Sequence, residues 1–399
     1  SKAVSFGDAL QNAGGKMSSA ADKAGSVGTK LTLGVTAPII GIGTAAVNAG
    51  NDFEAQMSRV SAISGAYGDD LEKLREQAIE LGAQTSFSAT ESAQAMENLA
   101  SAGFGTQEIM AAMPGMLNLA ASSGEDLASS ADIAASTLRG FQLEASEAGH
   151  VADVLAKNAA DTNAAIADTG LAMKYIAPVA QSVGWSLEEV TTAIGVMADA
   201  GIKGEQAGTT LRGALTRLMK PTKDMYESMD DLGISFYDAQ GKMKPLSTIV
   251  DELQKSTKSL TDEQRDNHLA TIFGTEALSG MKVLLGSSKE ELDRMTDGLK
   301  NADGAAKKMA DTMLDNTKGS IEEMNGSLET AGITIQKQLA PWITKGAEKV
   351  TELANEFSQL DENTQGTILT MGGIAAASGP VIKGLSGVTG GIGKLVKGT

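Results

Sequence analysis

The chain has 399 residues, a formal net charge of −17, 42% hydrophobic but only 4% aromatic residues, and no cysteine. The acidic balance argues against phosphate-backbone binding, which needs an excess of Lys and Arg, and the missing cysteine excludes disulfides and thiolate metal sites. Length allows two or three domains. Seven prolines in a chain rich in Ala, Gly, Ser and Met favour closely packed helices, with the 46 glycines at helix ends or close contacts.

The first predicted element is an uncharged window, Leu31–Asn51, lying between Lys30 and Asp52. It has the length of a bilayer-spanning helix, but its glycines, Pro38 and asparagines make insertion marginal. Ala37, Gly41, Ala45 and Ala49 recur every four positions, the small-xxx-small spacing that lets helices touch closely. That spacing serves a membrane segment and a segment packed on its own copies equally. The window lies too far in to read as a signal peptide, and a first residue of Ser suggests a processed chain or a piece of a longer one.

From about 52 to 301 the chain reads as a compact module of many short helices, mostly of about 10–18 residues. Ile109, Met113, Met116, Leu117 and Ala120 share a helical face, as do Leu187, Val190, Ile194 and Met197, and Leu211, Leu215, Leu218 and Met219. Capping boxes are predicted at Ser88…Glu91, Ser186…Glu189, Thr261…Gln264 and Ser288…Glu291. Gly82, Gly103, Gly184 and Gly201 are expected to stop helices. Alternation around Ala239–Gly241 suggests one small β-hairpin near 234–246. A weak echo links Met96–Gly140 to Met173–Gly213 at an offset drifting between 73 and 81, read as two related helical hairpins.

Over 302–362 the pattern becomes coiled-coil-like. Ile321, Leu328, Ile335 and Trp342 step by seven with Met324 and Ala331 as partners; past Pro341 the seam slips by one and resumes at Ile343, Val350 and Phe357. One long helix packed on its own domain fits the same spacing. A second uncharged window, Asn363–Ile382, opens the Gly-rich segment 363–399; Gly373 and Ala377 repeat the small-residue spacing, with Gly387 and Gly391 just beyond. The ends, 1–51 and 363–399, carry net +2 and +3, leaving the middle at −22. Basic ends beside apolar windows suit anionic headgroups and solvated lysines alike. The fold class is therefore all-α, with an apolar helix near each end.

Catalysis has little to work with. His150 and His268 are the only histidines, neither in a zinc spacing, and both read as surface or half-buried residues. No GxSxG or Walker loop occurs, and Gly384–Gly393 lacks a preceding strand. No residue is assigned a catalytic, metal or cofactor role, and no cofactor is expected.

Taken together, Thr36–Pro38, Asp52–Glu54, Thr85–Ser88, Leu119–Ala120, Val151–Val154, Tyr175–Pro178, Gly201–Arg212, Leu232–Ile234, Gly241–Lys242 and Ile272–Gly274 are similar, in that order, to the core region of phage tail tape-measure proteins. The resemblance covers roughly residues 31–290 and is strongest at Gly201–Arg212. It implies a structural, non-enzymatic role inside the virion tail, in tube length, assembly and genome ejection. The partners it implies are other copies in a trimer or another symmetric oligomer, the tail tube, tail-tip or baseplate hub proteins, tail assembly chaperones and the host membrane, with no specific nucleic acid. A ruler should be one long helix rising about 1.5 Å per residue. The broken middle instead suggests a compact module near the tail tip. A freestanding pore-forming effector is the main alternative, and a peptidoglycan hydrolase fragment a third.

Overall fold

Sixteen α-helices and no strand form among the residues described by the computed structural model, which are 37–359 for the backbone and 47–338 and 359 for side chains. The window Asn363–Ile382, with Gly373, Ala377, Gly387 and Gly391, lies outside them, as does the start of the first window. The chain divides into two compact units, one of Asn51–Thr330 and one drawing on the chain on either side of it.

Helix starts follow the capping chemistry. Ser88, Ser186 and Thr261 form reciprocal boxes at the heads of α3 (Ala89–Ser101), α8 (Leu187–Asp199) and α12 (Asp262–Phe273). Ser288 caps α14 (Lys289–Lys300) by accepting from the Glu291 N–H at 3.1 Å. Asp126 and Thr222 cap α5 (Leu127–Phe141) and α10 (Lys223–Leu232), two starts outside the predicted set. Gly103, Gly184 and Gly201 end helices with positive φ, as expected. Gly82 does not. It lies inside α2 (Asp69–Gln84), buried, where a Cβ would strike the backbone N of Ala89. Close approach, not chain reversal, requires that glycine.

The helices stack in two layers. In one, α2, α4 (Thr106–Ser123), α6 (Ala148–Asp161) and α8 are successive neighbours; in the other, α3, α5, α7 (Ile166–Val183) and α9 (Gly204–Met219) are. The weak echo becomes a repeat of four helices, α2–α5 against α6–α9, larger than the expected hairpins. Starts of α3 and α7, Ala89 and Ile166, lie 77 positions apart, as do those of α5 and α9, Leu127 and Gly204. Starts of α4 and α8, Thr106 and Leu187, lie 81 apart, because α7 has 18 residues to the 13 of α3, while α8 has 13 to the 18 of α4. One helix lengthens and the next shortens, which makes the offset drift.

Equivalent corners are built alike. Thr85 and Thr162 each end a helix by donating Oγ1 back to a carbonyl four residues earlier at 2.8 Å, and each accepts from the N–H two residues on at 3.2 Å. Neighbouring helices within each layer approach closely where side chains vanish. A Cβ on Gly115 would lie 2.5 Å from the Ala148 carbonyl carbon, and one on Gly208 would lie 2.5 Å from the Ala172 oxygen. The core is correspondingly one of Ala, Met, Leu and Ile.

Further helices cover this stack. α14 lies on α6 and α8, and α15 (Ala305–Leu314) lies on α4 and α6. α12 and α13 (Thr275–Leu284) lie on α9. The expected hairpin is reduced to an isolated antiparallel bridge, Tyr237 to Met243. Its turn is fixed by Asp238, whose Oδ1 accepts from the N–H groups of Gln240 and Lys242 at 2.9 and 2.8 Å. Phe236 beside it is buried and meets Phe273 edge-on at 5.8 Å. The apolar α1 (Ala37–Ser64) buries Phe53, Met57 and Val60 in the module. Among the described residues no helix is long and apolar enough to cross a membrane.

Candidate assembly surface

The titratable groups of the module tie helices together. His150 on α6 and Glu188 on α8 meet at 2.8 Å, their side chains 28% and 13% exposed. The His150 hydrogen bond holds Glu188 down to about 2, and the same bond raises His150 above its ordinary value. One turn along α6, Asp153 accepts from the N–H groups of Gly304 and Ala306 at 2.9 and 2.8 Å, capping α15 from another helix. Ser228 and His268 Nδ1 lie 2.7 Å apart, linking α10 to α12. This pairing resembles a nucleophile and base, but Ser228 is buried at 6% exposure, whereas acyl transfer needs a reachable oxygen.

A shallow cleft between α10 and α11 (Leu246–Thr257) includes Asp230, Ser235, Lys244, Glu252 and Lys255. Its cations are already engaged: both Glu252 oxygens hold Lys244 at 2.7 and 2.9 Å, and Asp251 holds Lys255 at 2.7 Å. Little charge remains for an anionic ligand. Among the described residues no group of acidic or histidine side chains is placed to hold a metal ion.

The module also leaves an apolar stripe open. α16 (Thr317–Ser358) docks by one face: Glu329 Oε1 accepts from the Thr90 N–H at 3.0 Å, and a Cβ on Gly326 would lie 2.9 Å from the Gly82 carbonyl oxygen. The opposite face presents Ile321, Met324 and Leu328 at 48%, 52% and 61% exposure. A helix that turns large apolar side chains outward beside an anchored face has a surface left to cover.

Residues 75–274 match the family described as phage-related minor tail protein. The chain belongs to the tape-measure family of phage tail proteins. It is 53% identical to the tape measure protein of Pneumococcus phage Dp-1 over 89% of its own length and 31% of that protein. With the probable tape measure protein of Escherichia phage P2 it shares 31% identity over 86% of its length and 42% of the relative. With that of Clostridium phage phiCD119 it shares 25% identity over 88% and 37%. The chain thus spans roughly a third to two-fifths of these tape-measure relatives. No solved structure matches it.

Two of the segments that carried the resemblance to tape-measure proteins meet. The Arg212 guanidinium lies 5.6 Å from the Tyr175 ring centroid, joining Gly201–Arg212 to Tyr175–Pro178 across α9 and α7. Of the predicted seam, Ile321, Leu328 and Ile335 are exposed, Ile335 at 40%. Trp342, Val350 and Phe357 also fall on α16, but their side chains lie outside the described residues, as do those of Ala37, Gly41 and Ala45 on α1. Ala49 is half-buried, and the Gly50 beside it is buried against the side chain of Gln336. Sequence reasoning missed the His150–Glu188 tie and the Asp153 cap, since neither spacing has a local signature. It also missed Met313, 46% exposed, which completes a pattern across the α15–α16 joint.

Proposed function

We propose that this chain is a structural, non-enzymatic part of a tape-measure protein that stands in a phage tail tube or tail tip as several symmetric copies. The copies meet along the exposed seam of α16 while the module stays folded. The observation that carries this reading is the two-faced α16: Gly326 and Glu329 anchor one side, and Ile321, Met324 and Leu328 face outward on the other. The family's role in tail length, assembly and genome delivery gives the setting. Helices α2 to α15 are 10–18 residues long, so this portion serves as a module and not as a rod. Tail tube, hub proteins and assembly chaperones are its proposed neighbours. The apolar windows Leu31–Asn51 and Asn363–Ile382 are proposed to act at the host membrane after release.

Imaging intact particles before and after triggering tests the reading, together with the sedimentation mass of the purified chain. Symmetric copies of the module near the tip and an oligomeric mass are expected. Residues 51–330 drawn out as one straight helix along the tube would overturn the modular role. A mass that stays monomeric at every concentration would overturn the copy contact, and liposome leakage by the chain alone would favour a freestanding effector.

A further inference from the structure

Two residues, Asp315 and Asn316, separate α15 from α16, and neither is a Gly or Pro. Asp315 sits at φ −73° and ψ 63°, and the Asn316 N–H donates to the Leu314 carbonyl at 2.7 Å. This is an inverse γ-turn. The Asn316 side chain stitches it: Oδ1 accepts from the N–H groups of Lys318 and Gly319 at 2.9 and 3.1 Å, and Nδ2 donates to the Met313 carbonyl at 2.6 Å. Both joint residues are of types that adopt helical dihedrals.

Continued through the joint as one helix, the two sides share a stripe. Ala306, Ala310, Met313, Thr317, Ile321, Met324 and Leu328 follow in steps of four and three, an eleven-residue pattern that keeps one helix face free of charge. No charged residue enters that stripe, in a chain of net charge −17. The structure splits it. Ala306 and Ala310 are buried where α15 lies on α4 and α6, while Met313, Ile321, Met324 and Leu328 are exposed. Besides the Asp153 cap, α15 is held on the module by buried Ala306 and Ala310 and half-buried Ala305 and Met309, small or flexible side chains and no aromatic.

We propose that α15 is a latent extension of the copy-to-copy surface: on association the joint straightens, and α15 transfers its stripe from α4 and α6 to a second copy. This rests on the self-association reading above. The occupant is a second copy for two reasons. The four-and-three phase runs on through a joint that breaks the helix, whereas docking on α4 and α6 fixes the phase of α15 alone. An uncharged stripe also lets two acidic chains meet without opposing like charges.

The chain has no cysteine, so spin labels can be placed only where wanted. We would label Lys157→Cys on α6 and Lys308→Cys on α15 in the full chain, measure their separation by pulsed electron resonance, and follow mass in parallel. One short distance is expected in the dilute chain, and a longer population growing with association. The double variant D315A/N316A, which removes the turn and its stitch, is expected to lengthen the distance even when dilute. Association with the distance unchanged overturns the proposal and leaves self-association standing. A double variant that keeps the short distance overturns it too, since the joint is then not what holds α15 bent. Absence of any association overturns both readings.

Discussion

Gly115 shows what a single residue does in a core built from small side chains. It sits in α4 where the backbone of Ala148 passes, and a Cβ would lie 2.5 Å from that carbonyl carbon. Helix propensity alone favours Ala over Gly by roughly 1 kcal/mol, but the obstacle is backbone and cannot rotate away. Gly115→Ala is therefore expected to destabilise the module by about 1–3 kcal/mol, read as a lower midpoint in urea unfolding. A rise in stability would mean that α4 and α6 shift apart without cost. The His150–Glu188 tie carries a pH signature. Glu188, ordinarily near 4.5, is held at about 2, so its contribution is complete above pH 4.5 and is lost as pH falls toward 2. His150 is raised above 6.5, so its contribution is complete below that pH and is lost as pH climbs through the raised value. The tie should be strongest between about pH 4.5 and 6.5. Comparing wild type with His150→Ala across pH, the stability gap should narrow on both sides of that window; a flat gap would show that packing alone is lost.

At the scale of elements, local chemistry was legible and approach distances were not. The helix start at Ser88 could be read because its two bonds, Ser88 Oγ from the Glu91 N–H and Glu91 Oε2 from the Ser88 N–H, lie three residues apart in sequence. Replacing Ser88 by Ala should cost about 1 kcal/mol and raise amide exchange in the first turn of α3 before any other helix. Uniform exchange along α3 would place the stability of that helix in packing. Gly82 was misread as a stop because a glycine's partner across a helix pair has no trace in the local sequence. Met219 shares a predicted helical face with Leu218, yet it is 46% exposed as the last residue of α9 while Leu218 is buried. The hairpin reading responded correctly to a turn, but Asp238 closes it so tightly that a single bridge remains. The repeat was visible only as a drifting echo, since α7 and α8 exchange five residues of length.

For the whole molecule, charge and the exposed seam pull in opposite directions. Residues 51–330 carry a net charge of −20, so copies drawn together repel one another through solvent. The seam residues Ile321, Met324 and Leu328 are apolar, and burying them gives an attraction that salt does not screen. Raising ionic strength shortens the range of the repulsion to about 8 Å at 0.15 M and about 3 Å at 1 M. Association should therefore tighten with added NaCl, the reverse of an interface held by ion pairs. Ile321→Glu combined with Leu328→Glu should abolish association at any salt. The unfolding midpoint of the module should barely move, because both side chains are largely exposed in the single chain. Sedimentation velocity across a salt series, run beside urea unfolding of the same samples, reads both quantities. Association that weakens with salt would assign the contact to charged residues elsewhere. A double variant that unfolds would mean that the seam already packs within its own chain, and the proposed contact between copies on α16 would then fall.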